Sequence, residues 1–263
     1  PISISSTAAN TTLIYDFGGF SPKFYNMKYN TPDASWLGEM VAKLMPDNEP
    51  LHQHASRGLD HGAWVPLRVM YPDADIPVLQ LSMPTHDPVK LLDLGRRLRT
   101  LREEGVLVIG SGFMTHGLPY IRDWRIEAAA PGWSADFDHW AQEALDKGDV
   151  ETLINYRNTA PGMPYAHPTV EHFTPLFVSL GAASTPEQQV KTVIEQRCYM
   201  CHGEQVQMKN VRLDSPELIK QHAQNVYQQV VVTKQMPMNN ATQITDDERA
   251  LIGRWFQAGA KVD

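Results

Sequence analysis

The chain has 263 residues, 42% of them hydrophobic and 20% charged, with a formal net charge of −7. That length suits one large domain or two modest ones with enough apolar material for a core. The acidic balance argues against nucleic acid as a partner, and no run approaches the roughly eighteen apolar residues of a membrane span, so no transmembrane segment is expected.

Residues 12–15 (Thr-Leu-Ile-Tyr) are a short β-prone run before a turn at 16–20. Trp36, Leu37, Met40, Val41 and Leu44 recur at helical spacing, which predicts a helix over 35–44 with Ser35 as N-cap. A second helix is expected over 61–70, entered from Gly58-Leu59-Asp60. Residues 76–81 read as a buried strand. An amphipathic helix over 88–104 stops at Gly105. Val106-Leu107-Val108-Ile109-Gly110 reads as the clearest buried strand. Helices follow over 133–146 and 149–157. A Pro-rich stretch then leads to an apolar helix over 169–180. Strands alternating with helices imply an α/β fold with a mostly parallel sheet flanked by helices.

The small-residue, Pro-containing stretch 181–186 is the best boundary in the chain, giving domains 1–183 and 184–263. Beyond it the pattern is all-helical: 186–200, 216–232, and a last helix capped by Thr245 with Glu248 at the capping-box position.

The only two cysteines lie in Cys198-Tyr199-Met200-Cys201-His202, which argues against a disulfide scaffold. Two thiols three apart on a tight turn can both add to haem vinyl groups, which puts His202 under the iron as proximal ligand. The motif therefore predicts covalent haem c. Met236, in the loop between the last two helices, is the first choice for the distal ligand, ahead of Met238 and Met208. A thioredoxin-like redox pair and a Cys₂His₂ zinc site remain open as readings of the same motif.

The stretches 211–216, 227–231, 236–242, 246–249 and Trp255-Phe256 resemble the cytochrome c tail of bacterial membrane-bound urate oxidases. This resemblance implies a small all-α haem domain that exchanges electrons with a redox partner protein.

Three histidines stand at element boundaries in the first domain: His61 in Gly-Leu-Asp-His-Gly, His116 in Met-Thr-His-Gly-Leu and His172 in Val-Glu-His-Phe. Loops at strand ends are where open α/β sheets place sites, and neutral imidazole is the commonest metal ligand. Tyr15-Asp-Phe-Gly-Gly-Phe20, Gly58-Leu-Asp-His-Gly-Ala-Trp-Val-Pro-Leu67, residues 70–78 and His167-Pro-Thr-Val-Glu-His172 resemble the class III extradiol ring-cleavage dioxygenases of the LigB, DOPA-4,5-dioxygenase-like type. The resemblance covers 1–183. It implies a non-haem Fe(II) or Zn(II) cofactor, a catechol-type aromatic substrate and O₂. It assigns His116 to the metal, and His61 and His172 to proton transfer with the catechol hydroxyl and to stabilising dioxygen. The family's two other ligand motifs, of His-Gly-Ser-Pro and Ser-Ala-His-Trp type, do not occur in this sequence.

The expected function is thus a redox protein that joins an extradiol dioxygenase-like domain to a c-type haem domain. The alternatives are a non-enzymatic electron carrier with a vestigial first domain, or a join of two gene fragments. No signal-peptide pattern follows Pro1. Haem attachment implies a periplasmic location, whereas the dioxygenase family is cytoplasmic.

Overall fold

A computed structural model of the chain describes residues 2–262. It divides into two compact units, with the break between Ala183 and Ser184, inside the predicted boundary stretch.

In the first unit the helices are α1 (Ser35–Lys43), α2 (His61–Met70), α3 (Pro88–Leu98), α4 (Gly132–Lys147), α5 (Val150–Ile154), α6 (Tyr156–Thr159) and α7 (Pro175–Ala182). Local chemistry sets their starts. The Asp60 carboxylate accepts from the Ala63 N–H to cap α2, and Asp87 accepts from Val89 and Lys90 ahead of Pro88 to cap α3. Ser35 is not the N-cap expected of it. It is the first helical residue, and Asp33 takes both its N–H and its hydroxyl. Past α3 the chain tightens to a 3₁₀ turn over Arg99–Glu104 and ends at Gly105, whose φ of +76° permits the left-handed stop. The helix expected over 169–180 begins only at Pro175, because 169–174 forms turns.

The sheet is smaller than the apolar runs suggested. Among the described residues it is one parallel pair, β1 (Ser3–Ile4) with β2 (His52–Gln53), and Ser3 stands opposite His52. Leu81 adds a single antiparallel bridge to Ile4, and Leu13 a parallel one to Leu59. So the strand predicted at 76–81 contributes one bridge, and the run 106–110 forms no strand. Its side chains show why. Leu107 and Ile109 are exposed while Val106 and Val108 are half-buried, so the run has one covered face, not two. Its Gly110 N–H bonds to the Ser179 hydroxyl at 2.7 Å, so that donor is spent on α7 and not on a ladder.

The main core lies where α3 and α7 cross. Leu91, Leu92, Leu94 and Leu98 of α3 meet Phe177 and Val178 of α7, with Phe137, Tyr156 and Phe173 behind them. Gly95 and Gly181 let the two backbones touch. A Cβ on Gly95 would lie 2.2 Å from the Val178 carbonyl oxygen and 2.7 Å from the Gly181 Cα. A second cluster, Tyr29, Leu59, Trp64, Leu67 and Ala74, anchors α2.

The second unit contains α8 (Pro186–His202), α9 (Pro216–Gln221), α10 (Ala223–Val226) and α11 (Asp246–Gln257). Capping boxes open α8 at Thr185/Gln188 and α11 at Thr245/Glu248. The single helix predicted over 216–232 is broken. His222, at φ −98° and ψ 7°, ends α9, and α10 opens into a wide π-type turn over Tyr227–Val232. The Val230 carbonyl in that turn accepts from the Arg249 side chain. Arg197 on α8 chelates the Glu248 carboxylate on α11 and donates to the Thr242 carbonyl at 2.8 Å, and the Thr242 hydroxyl donates back to the Arg197 carbonyl. The core of this unit includes Val190, Ile194, Cys198, Ile219, Val226, Ile252 and Trp255. Among the described residues no helix is long and apolar enough to cross a membrane.

Candidate functional site

The segment 110–117 lies flush against 165–175, and glycine makes this possible. A Cβ on Gly112 would sit 2.1 Å from the His172 carbonyl oxygen, and one on Gly117 would sit 2.1 Å from the Tyr165 carbonyl oxygen and 2.5 Å from the Trp133 ring. Backbone bonds from Phe113 to His172 (2.8 Å) and from His116 to Ala166 (2.7 Å) lock the register. The result is an imidazole stack. The His116 and His172 rings lie 3.5 Å apart and within 11° of parallel, and Phe113 leans on both.

His167 is fully buried beside them. Its Nε2 lies 2.7 Å from the Met114 carbonyl, an acceptor only, so Nε2 carries the proton and Nδ1 is a buried lone pair without a partner. Glu171 takes the Thr169 hydroxyl at 2.6 Å and approaches His172 Nδ1 at 3.4 Å, close enough to act through charge but not as a hydrogen bond.

Burial and the neighbouring His172 hold His116 below the ordinary histidine value, against a smaller pull upward from Glu171. Burial also depresses His167, helped by His116 and His172 and opposed by the Met114 bond. Burial tends to raise Glu171, but the Thr169 hydroxyl, its own backbone N–H and His172 outweigh it and keep the carboxylate ionised.

A pH dependence follows. Unfolded, His116 and His167 take up protons near 6.5; folded, they do so only at lower pH. Between those values the unfolded chain binds more protons, so stability is present above about 6.5 and is lost as the pH falls through the folded values. The thermal midpoint of this unit should therefore drop between neutral pH and about pH 5. His167→Gln, which keeps an N–H for Met114 but cannot be protonated, should flatten that drop. An unchanged slope in this variant would remove His167 from the account.

His61 is held elsewhere. It opens α2, and its Nδ1 donates to Asp16 Oδ1 at 2.7 Å while its backbone N–H donates to the same oxygen, leaving Nε2 bare. These bonds outweigh the opposing effect of burial and keep Asp16 below the usual carboxylate value. The Ser111 hydroxyl donates to the Gly62 carbonyl, which ties this first turn of α2 to the 110–117 segment.

A family profile described as "Catalytic LigB subunit of aromatic ring-opening dioxygenase" matches residues 1–206. The chain belongs to the LigB family of aromatic ring-opening dioxygenases. It is 45% identical over 176 residues to a 4,5-DOPA dioxygenase extradiol of Beta vulgaris, covering 65% of this chain and 64% of that one. It is 35% identical over 173 residues to a 4,5-DOPA dioxygenase extradiol of Escherichia coli strain K12, covering 64% of this chain and 63% of that protein. Among solved structures, an uncharacterized protein of Escherichia coli K12 superposes with a TM-score of 0.56 at 30% identity, covering 69% of each chain. The chain therefore spans a little under two thirds of the length of the first of these curated relatives.

The non-haem iron or zinc that the LigB resemblance implies does not fit the residues present. Among the described residues no three His, Cys, Asp or Glu side chains gather to hold a metal. Nor can the stacked pair chelate one. An imidazole binds metal along its ring plane at about 2.1 Å, and a cation shared by rings 3.5 Å apart would lie roughly 1.7 Å out of each plane. No metal step is therefore assigned to His116, His172 or His61.

A cavity of about 460 Å³ is lined by Tyr120, Arg122, Trp133 and Tyr165; none of His61, His116, His167 or His172 lines it, and Gly117, the residue after His116, packs on its Trp133 and Tyr165 walls. Neither this lining nor His167 had been assigned a site role from the sequence. The aromatic residues around Trp133 and Tyr165 were the available signal, and only folding brings them beside Gly117.

In the second unit Cys198 and Cys201 are free thiols at the end of α8. Burial pushes the Cys198 thiol up to about 12, which disfavours the thiolate needed for zinc or disulfide exchange. His202 Nδ1 donates to the Val211 carbonyl at 3.2 Å, which fixes the ring and leaves Nε2 as a free ligand atom. Met236 packs against the core that holds Cys198, whereas Met208 and Met238 are exposed. This donor set fits a c-type haem.

Proposed function

We propose that the first unit handles a catechol-type aromatic substrate with O₂ as co-substrate, in the manner of an extradiol dioxygenase, and that the second unit carries covalent haem c for exchange with a redox partner protein. The imidazole stack of His116 and His172 carries the first half of this reading; an aromatic-lined cavity lies on the far side of Trp133 and Tyr165, on which Gly117 packs. His61, oriented by Asp16 with Nε2 bare, is suited to take a proton from a catechol hydroxyl, and His172 to hand one on. His116 is the position that the family resemblance assigns to the metal, but the further donors such an ion needs do not gather beside it among the described residues, so no O₂ step is assigned to it. The haem half rests on Cys198 and Cys201 for thioether attachment, with His202 and Met236 as axial ligands. A periplasmic location goes with the haem half of this reading and a cytoplasmic one with the dioxygenase half.

A second reading is an electron carrier without ring-opening activity, favoured by the lack of a three-donor metal group among the described residues. One experiment separates the two. Holoprotein is supplied with ferrous iron and a catechol such as DOPA, and oxygen uptake and yellow ring-opened product are followed. Uptake that falls at least tenfold in His61→Ala and His172→Ala supports the dioxygenase reading (general acid–base groups contribute about 10²–10⁴-fold). No uptake by protein with intact haem removes the dioxygenase reading and leaves the carrier.

A further inference from the structure

Arg249 is a buried cation, only 7% exposed, and among the described residues no carboxylate forms an ion pair with it. Such a charge is costly to hold unless its donors are spent well. Both hydrogens of Nη1 go to backbone carbonyls, that of Val230 at the wide turn and that of Met236 at 2.8 Å. The Met236 N–H donates to the Gln229 carbonyl at 3.0 Å, so Met236 is gripped on both sides of its Cα. Arg249 sits on α11, which the Glu248 carboxylate fastens through Arg197 to α8, the helix bearing Cys198, Cys201 and His202.

We propose that Arg249 is the positioning residue that presents the Met236 thioether to the haem iron, by fixing the 230–236 backbone relative to the attachment helix. The proposal rests on the haem reading above. It assigns Arg249 no contact with the haem. The residue acts through the Met236 carbonyl, and the geometry explains why the loop needs a long side chain with two hydrogens on one terminal nitrogen.

The test uses full-length holoprotein matured with covalent haem, and reads the weak near-infrared sulfur-to-iron charge-transfer band of the ferric form, the pH at which that band disappears, and the reduction potential. Arg249→Gln and Arg249→Met should keep full covalent haem and helix content, yet lose the band or lose it at lower pH, with a fall in potential as the thioether gives way. Arg249→Lys keeps the charge and the donors on a shorter side chain and should recover part of the band, which also decides the matter if Arg249→Met does not fold. An undiminished band with an unchanged pH of loss in Arg249→Gln and Arg249→Lys overturns the clamp. A band that survives in Met236→Ala overturns it by removing Met236 as ligand. Wild-type protein without acid-acetone-resistant haem defeats the haem reading itself, a failure distinct from that of the clamp.

Discussion

Gly112→Ala is expected to lower the thermal midpoint of the LigB-family unit by about 6–12 °C, and to weaken with it the catechol binding proposed above. The added methyl would sit 2.1 Å from the His172 carbonyl oxygen and 3.4 Å from the Pro175 ring. Neither neighbour is a flexible side-chain tip. The carbonyl belongs to the backbone that bonds the Phe113 N–H, and Pro175 opens α7. Relief therefore requires moving main chain, at about 3 kcal/mol for a forced backbone shift, and in a unit of this size each kcal/mol is worth about 2–4 °C. The displacement falls on the two segments that stack His116 on His172. Gly132→Ala is the control, since nothing lies within 4 Å of its Cβ and it starts α4. A Gly112→Ala protein that melts with the wild type would show that the 110–117 seam is loose.

On the haem reading proposed above, replacing both Cys198 and Cys201 by alanine is expected to abolish acid-acetone-resistant haem altogether, with either single variant retaining one thioether and a shifted haemochrome band. Both thiols are free and lie one helical turn apart at the end of α8, directly before the His202 ring that Val211 orients. Cys198 also belongs to the core beside Ile194, so its loss should cost the apoprotein about 1 kcal/mol of packing. That is small beside the loss of the covalent haem proposed above, and a urea melt of the two apoproteins separates the effects. Unchanged covalent haem in the double variant would end the c-type assignment.

Helices were legible where capping and spacing agree. Asp60, Asp87, Thr185 and Thr245 each start a helix where an acceptor precedes an apolar period. The break at Ala183/Ser184 was likewise legible in small residues and proline. The sheet was not. Val106–Gly110 has the composition of a buried strand, but its glycine N–H is claimed by Ser179, a partner distant in sequence. The imidazole stack was hidden for the same reason. Each histidine stood out singly, while their meeting depends on Gly112 and Gly117 letting two backbones touch. The burial of Arg249 was not legible, although 246–249 belongs to the stretches that resemble a cytochrome c tail, since an arginine on a polar-looking helix start reads as solvated surface.

The contact of Gly95 with Gly181 has a mechanical consequence. At that one point no side chain lies between the helices to change rotamer and absorb a push, although leucines of α3 and Phe177 and Val178 of α7 pack on either side of it. The pair α3–α7 then moves as one stiff strut, with Arg99 pinned to the Gly181 carbonyl at one end and His172 just ahead of Pro175 at the other. A bulky residue introduced at Gly95 is therefore expected to push on α7 and, through Pro175, on the segment that carries His172.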